Sequence, residues 1–390
     1  MPRWIKILLK IIGILFALVV VGWLAIAGYV QTHKKELLAS ITSQLNDNLS
    51  GTLNIERMEP ALLRGFPGIS VTLANVKLRD SLWNNHKHDL LNAKEAFVSV
   101  DAFSIFSGTP TIKNISIHDG QLYFYTDSSG YSNTDLYKKS SPDQEAKNVK
   151  KKKISRIDLY NVKVTLENDL KSKFFDLNIS RFKGNVRYNN TGWKASVDLN
   201  TLVNRLEFNT ARGSFLKNTT LQTSLEMSFD DKTHTLTVPV QEMKIGGNDF
   251  EAGGKFALGK DNSDFALDVK TSSITLEDAE ALLLPKITLR LKRYKLKQPF
   301  SGGASIRGML KSGKDPKING YWQVQDNTLM FDKEVITNCS FKGEYTNEFN
   351  KGQGFKDQNS AINLYGMKGK WYGIPFNADS ITVTDLKKPV

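Results

Sequence analysis
From Thr52 onward the chain alternates apolar and polar residues in short runs, the period of two that a half-buried β-strand requires. The run from Ile112 to Phe124 is the clearest. Ile115 and Ile117 alternate with polar residues, Asp119-Gly120 supplies a turn or bulge signal, and Leu122 and Phe124 resume the alternation beyond it. The same frame returns from Ile154 to Leu166, with Asn161-Val162 in place of Asp119-Gly120. It recurs more loosely from Val71 to Leu78 around Asn75-Val76 and from Trp322 to Phe331 around Asp326-Asn327. Self-similarity of this kind predicts a stacked β architecture in which each unit buries its apolar face only against its neighbours. Further runs, separated by Asn, Asp and Gly, bring the expectation to about 20 to 24 strands. Gly246-Gly247-Asn248 reads as a hairpin turn between two of them.

Two stretches interrupt the strands. Residues 138–153 lose the alternation and carry Lys147, Lys150, Lys151, Lys152 and Lys153, which reads as a solvated basic insertion. Leu276 to Leu284 reads as a short helix, opened by Thr275 with Asp278 three residues on and stopped by Pro285. Beyond it, Ile287, Leu289 and Leu291 alternate with Lys286, Arg290 and Lys292, followed by Arg293. That pattern predicts an edge strand with its charges outward, where Lys286, Arg290, Lys292 and Arg293 are candidate contacts to lipid headgroups. The glycines between Gly302 and Gly373 predict bends and bulges.

The chain before Thr52 follows another rule. Ile11 to Ala27 is an unbroken apolar run, flanked by Arg3, Lys6 and Lys10 before it and by His33, Lys34 and Lys35 after it. Extended to Ile5 and Val30, it is long enough to cross about 30 Å of hydrocarbon as a helix carrying Ile11, Leu15, Val19, Trp23 and Ala27. Ala25-Ile26-Ala27 keeps a cleaved signal peptide as the rival reading. The basic bias places the N-terminus on the cytoplasmic side and the remainder outside. Leu37, Ile41, Leu45 and Leu49 then recur every fourth residue, an amphipathic helix over 32–50 that Gly51 stops. The expected organisation is an anchor over 1–31, this helix, a β region over 51–137, the basic insertion over 138–153 and a β continuation over 154–390.

A net charge of +13 points to an anionic partner, nucleic acid or membrane, and a location outside the cytoplasm argues against nucleic acid. Cys339 is the sole cysteine, which excludes an internal disulfide and a cysteine-cluster metal site. The histidines His33, His86, His88, His118 and His234 are scattered; no Gly-x-Ser-x-Gly, Walker or His-Glu-x-x-His motif occurs and no carboxylate pair stands out. The sequence therefore assigns no catalytic, cofactor-binding or metal-ligating residue, and the expectation is a protein that is not an enzyme.

The apolar strand faces carry the functional argument. Helices to cover them are few, so the strands must pack on a second sheet, close into a barrel, or curl into a trough whose lining faces a guest. An acyl chain of about 16 carbons exposes about 12 kcal/mol of transfer free energy to water, at about 0.8 per methylene. An apolar trough offsets most of that cost, and burial without direction lets the guest slide. The candidate lining is Val71, Leu73, Ile115, Ile117, Leu122, Phe124, Ile157, Leu159, Val164 and Leu166. A closed core built from the same residues is the competing reading.

Several segments resemble the AsmA family. They are the single N-terminal apolar segment, Gly51 to Ile55, the run Phe66 to Asp80, and Ile112 to Asn133 with its closing Gly130-Tyr131-Ser132-Asn133. Phe208-Asn209, Gly213 to Leu216 and Leu282 to Pro285 resemble the Bacteroidetes branch. The resemblance implies a mainly β fold: an N-terminal transmembrane helix followed by an elongated, curved antiparallel sheet forming an open groove, with one or two short helices. It also implies a bacterial inner-membrane protein with its β domain in the periplasm, related to bridge-like lipid-transfer proteins, and a longer parent chain. The expected partners are phospholipid acyl chains, the inner membrane and outer-membrane or envelope proteins. The expected role is phospholipid transfer for outer-membrane homeostasis, with a chaperone or scaffold for outer-membrane β-barrel assembly as the alternative.

Overall fold
The computed structural model describes Gly28, Thr32 and residues 50–60, 69–100, 112–136, 154–259, 263–310 and 315–388. The expected anchor positions Ile11, Leu15, Val19, Trp23 and Ala27, nearly all of the helix over 32–50 and the basic insertion lie outside these residues. Gly28 and Thr32 are helical, and the Thr32 hydroxyl donates to the Gly28 carbonyl at 3.0 Å. No helix among the described residues is long and apolar enough to cross a membrane.

The protein is mainly β, with 67% of residues in strands, antiparallel throughout the described pairings. It divides into two compact units, residues 1–164 and 165–390. In the first, β1 (Gly51–Asn54) and β2 (Arg57–Pro60) both pair with β3 (Ile69–Asp80). The chain then passes through the short helix α1 (Trp83–His86) into β4 (Leu91–Val100), β5 (Ile112–Thr126) and β6 (Arg156–Asn168), within which the division falls. β3 pairs with β4 and β4 with β5.

The second unit continues the meander through β7 (Lys173–Asn189), β8 (Gly192–Glu207), β9 (Thr219–Asp230), β10 (Thr235–Ile245), β11 (Asn248–Ala257) and β12 (Asp264–Ile274), each paired with the next. Gly246 and Gly247, both left-handed, close the β10–β11 hairpin as the sequence predicts. Pro239, which cannot donate to a ladder, sits in the register break of β10, where the Gln241 side chain bonds the amide and carbonyl of Glu226 instead.

Two helices, α2 (Leu276–Ala281) and α3 (Pro285–Leu291), and the short β13 (Tyr294–Leu296) lead to β14 (Phe300–Met309). β15 (Lys317–Phe331), β16 (Glu334–Thr346), β17 (Ala361–Trp371) and β18 (Ile374–Thr384) complete the unit. β12 pairs with β14, β13 and β14 with β15, and each later strand with its successor.

Three expectations need correction. Among the described residues the strands are fewer and longer than the alternation implied: each of the four self-similar runs falls in one strand, apart from Ile154 and Ser155, which precede β6. The basic run 285–291 is a helix. Pro285 at its first turn, with φ already set, starts α3, and the Thr288 hydroxyl ties it to the Glu280 and Leu284 carbonyls, overriding a strand-like alternation. Pro285 therefore opens a second helix beyond α2, whose Thr275 cap accepts from the Asp278 amide as the sequence suggests. Several late glycines do not make bends. Gly303, Gly320 and Gly343 lie directly opposite Tyr321, Tyr345 and Trp322, and a side chain at Gly343 would overlap the Trp322 indole. They seat aromatic rings across strands.

Candidate functional site
The four self-similar runs share a backbone device. Asn75, Asp119, Asn161 and Asp326, the residues that mark the interruption in each run, all adopt the left-handed conformation, with φ of 50°, 51°, 54° and 43°. Asn338 in β16 and Gly366 in β17 do the same beside Asp326, at 50° and 57°. Asn, Asp and Gly reach this region at little cost, whereas other L-residues lose about 1–2 kcal/mol there.

The consequence is a phase shift. Directly opposed residues of antiparallel strands share a face, so Leu73 with Ala96, Val76 with Ala93, Ile117 with Ala96 and Leu122 with Leu91 lie on one side. Along β3 that side passes from Leu73 to Val76, and along β5 from Ile117 to Gly120 and Leu122, skipping the left-handed residue by one position. In β6, Tyr160 meets His118 on the opposite face at 4.7 Å between rings, which leaves Leu159 on the apolar side. The Asn161 side chain donates to the Asp119 carboxylate, bridging the two kinks.

Of the predicted lining residues, Val71, Leu73, Ile115, Ile117, Leu122 and Phe124 fall on one face of β3 and β5, Ile157, Leu159 and Val164 lie in β6, and Leu166 lies beyond the division between the units; they are not equivalent. Ile117 and Leu159 are each 7% exposed and, like Val76, Ala93, Ala96 and Val162 near the kinks, are buried. Val71, Leu73, Ile115, Leu122, Phe124, Val164 and Leu166 are half-buried and Ile157 is exposed. Ile55, Val76 and Ala96 cluster with Leu53, Leu73 and Leu91, all from strands or the short link between them, and α1 buries none of its residues. The sequence reading missed Val162, only 1% exposed, because it placed that residue in a turn.

The end of β3, α1 and the segment from β5 to Asn133 meet in a polar clamp beside this face. Asp80, its carboxylate fully buried, accepts from the Tyr131 hydroxyl and the Leu82 amide and faces His86 Nε2 at 3.1 Å. His86 Nδ1 in turn accepts from the His88 amide, and the His88 ring stacks on Tyr123 at 4.1 Å. Burial, reinforced by the Asp80 charge, pushes the Tyr131 phenol up to about 12. Asn133 accepts from the Tyr125 amide at 2.9 Å and donates to the Tyr123 carbonyl at 2.7 Å, standing in for a further strand. Asn327, Asn347 and Asn359 repeat the device in the second unit. The Asp80 hydrogen bonds all fall on Oδ2; its buried Oδ1 makes none and has only His86 Nε2 within ion-pair distance, and the clamp holds α1 and the loop after β5 in place. No cluster of His, Cys, Asp and Glu suited to a metal occurs among the described residues.

In the second unit two apolar clusters form. Ile245, Phe250 and Ile274 pack with Ala279 of α2 and with Leu282, which caps it, so the end of a helix covers this one. Val324, Ile336, Cys339, Phe341 and Met367 pack with Trp322, Leu329, Leu364 and Phe376, following the same phase shift across β15, β16 and β17. Of the four basic residues assigned to headgroups, Lys286 pairs with Asp357 at 2.9 Å, Arg293 with Asp332, and Arg290 donates to the Leu386 carbonyl. Lys292 is exposed on the chain following α3.

No family model matches the chain, and neither the curated proteins nor the solved structures contain a match.

Proposed function
We propose that the protein is a membrane-tethered, AsmA-type envelope protein that binds phospholipid acyl chains on the apolar strand faces and assists their transfer between membranes. The observation that carries the reading is the apolar face of β3 to β6. Left-handed residues keep the apolar side chains on one side of long strands, the centre packs, and a flank of Val71, Ile115, Leu122, Ile157 and Val164 stays partly open to a guest. Full burial of a Val or Leu side chain contributes about 1.5–3 kcal/mol, so a guest that completes even four of these gains several kcal/mol without any directional bond. The expected N-terminal helix would tether this face to the inner membrane, with the β units in the periplasm.

The test uses the full chain, purified in detergent and transferred to a lipid-free amphipathic polymer, with bound lipid measured by mass spectrometry. Phospholipid is expected at a constant ratio to protein. Ile115→Glu, Leu122→Glu and Val164→Glu are expected to remove it with the circular dichroism unchanged. Ile117→Glu and Val162→Glu strike the packed centre and unfold the unit. Absence of lipid from the wild type, or retention by all three flank variants, would refute the reading; capture of unfolded outer-membrane strands without lipid would favour the chaperone alternative.

A further inference from the structure
At one end of the second unit the apolar face runs out into water. Ile336 lies opposite Trp371 and Trp371 opposite Ile374, so these residues extend the face of the packed Ile336–Met367 cluster. Yet Ile336 is buried, whereas Trp371 is 49% exposed, Ile374 69% and Tyr372, at the tip of the β17–β18 hairpin, 76%. The neighbouring β15–β16 turn adds Lys333 and exposed Val335. Lys333, Val335, Thr337, Lys370 and Tyr372 line a shallow cavity of about 220 Å³. Two acidic residues lie in the patch and each is engaged: Glu334 accepts from the Trp371 indole at 2.7 Å, and Asp332 pairs with Arg293, which leaves Lys333 and Lys370 exposed.

Trp, Tyr and a branched aliphatic at the tip of a hairpin, rimmed by lysines, is the composition of a surface that rests in a headgroup layer. Aromatic rings with one polar edge favour that layer, and lysines favour an anionic one. The chain's net charge of +13 acts in the same direction. We infer that the β15–β16 and β17–β18 turns form a docking tip for an anionic phospholipid surface. The inference deepens the acyl-chain reading, because it places a lipid surface where an apolar face ends, but it is tested separately.

The Tyr372→Cys chain is labelled with an environment-sensitive fluorophore; native Cys339 is 0% exposed and does not compete. The full chain is held in neutral phosphatidylcholine nanodiscs and mixed with vesicles of phosphatidylcholine alone or with phosphatidylglycerol. The expected result is a blue shift with the anionic vesicles only, and none from a label at Ser129→Cys in the first unit. Lys333→Gln and Lys370→Gln should each weaken vesicle affinity about fivefold, about 25-fold together. Trp371→Ser should weaken it further; if that variant fails to fold, the exposed lysine pair carries the test. An unresponsive label, an equal response to neutral vesicles, or a shift that follows protein concentration without vesicles and so reports a second copy, would overturn the inference. Lipid still bound by mass spectrometry in that event would leave the acyl-chain reading standing, and docking without bound lipid would do the reverse.

Discussion

Replacing Asn161 tests whether the left-handed residues set the apolar face. At φ 54° a β-branched side chain is strained by about 1–2 kcal/mol, and Asn161→Val also loses the hydrogen bond to Asp119, about 0.5–1 kcal/mol for an exposed pair. The strand could escape the strain by extending, but it would then turn Val162, Val164 and Leu166 to the opposite face. At about 1.5–3 kcal/mol for each buried side chain, that is the larger cost for Val162 alone, which is 1% exposed. The kink is therefore expected to persist, with Asn161→Val less stable by about 1.5–3 kcal/mol. Asn161→Gly gives up the side-chain bond but relieves the backbone, so it should lie within about 0.5–1 kcal/mol of the wild type. Asn92 in β4 is exposed without positive φ, and Asn92→Val there should be neutral or stabilising. Urea unfolding of the full chain gives the ranking, and hydrogen exchange over residues 156–168 locates it. If Asn161→Val matches the wild type, or Asn161→Gly falls as far as Asn161→Val, the backbone argument is wrong.

Other outcomes follow from single sites. Gly343→Ala forces the Trp322 indole off its seat and should cost about 1–3 kcal/mol, with a red shift in tryptophan emission. Asn133→Ala leaves the Tyr125 amide and Tyr123 carbonyl without their partner, a loss of about 2–4 kcal/mol read from denaturant unfolding. Burial pushes the Cys339 thiol up to about 11, so it should resist a thiol reagent at pH 8 until the chain is unfolded, and prompt labelling of the native protein would contradict its placement. Burial also raises the Glu280 carboxyl above its ordinary 4.5, against the pull of Lys292. The folded chain then binds that proton more tightly than the unfolded one, and ionisation opposes folding above the raised value. Glu280→Gln should be the more stable form at pH 7, with the difference closing as pH falls below 4.5.

Period-two alternation made the β class legible, and the Asn or Asp at the centre of each self-similar run was visible as an interruption. Its meaning was not. Asp119-Gly120 and Asn161-Val162 carry the composition of a hairpin turn, and a local pattern does not distinguish a reversal of the chain from one left-handed residue inside a strand. Only the pairing partners decide, and β4 continues through Lys94 opposite β5 without a break in register. The same limitation misread α3. Ile287, Leu289 and Leu291 alternate like a strand, yet Ile287 and Leu289 are exposed, so no burial rewards that alternation and the preset φ of Pro285 prevails. The Asp80 clamp is not legible in the sequence because Asp80, His86, Tyr131 and Asn133 lie far apart along the chain and are brought together by strand pairing.

These points bear on why the face stays apolar along strands as long as β5 and β6. Period-two alternation already holds one set of side chains on one face, so the left-handed residue changes which set that is. It lets Ile157-x-Leu159 and Val162-x-Val164-x-Leu166, two runs out of phase by one residue, contribute to a single surface. Asp326, Asn338 and Gly366 lie in the adjacent β15, β16 and β17, so those neighbours shift together; in the first unit Asn75 and Asp119 flank β4, which has no left-handed residue but keeps its register with β3 and β5 on both sides of Lys94, so the opposed apolar pairs survive the shift. The tightest packing then falls at the kinks, where Val162, Val324 and Cys339 are almost wholly buried, and the more open side chains lie to either side. On the proposed acyl-chain reading such a face would gain its affinity on the flanks and its stability at the centre, so charges on the two are expected to separate lipid binding from folding.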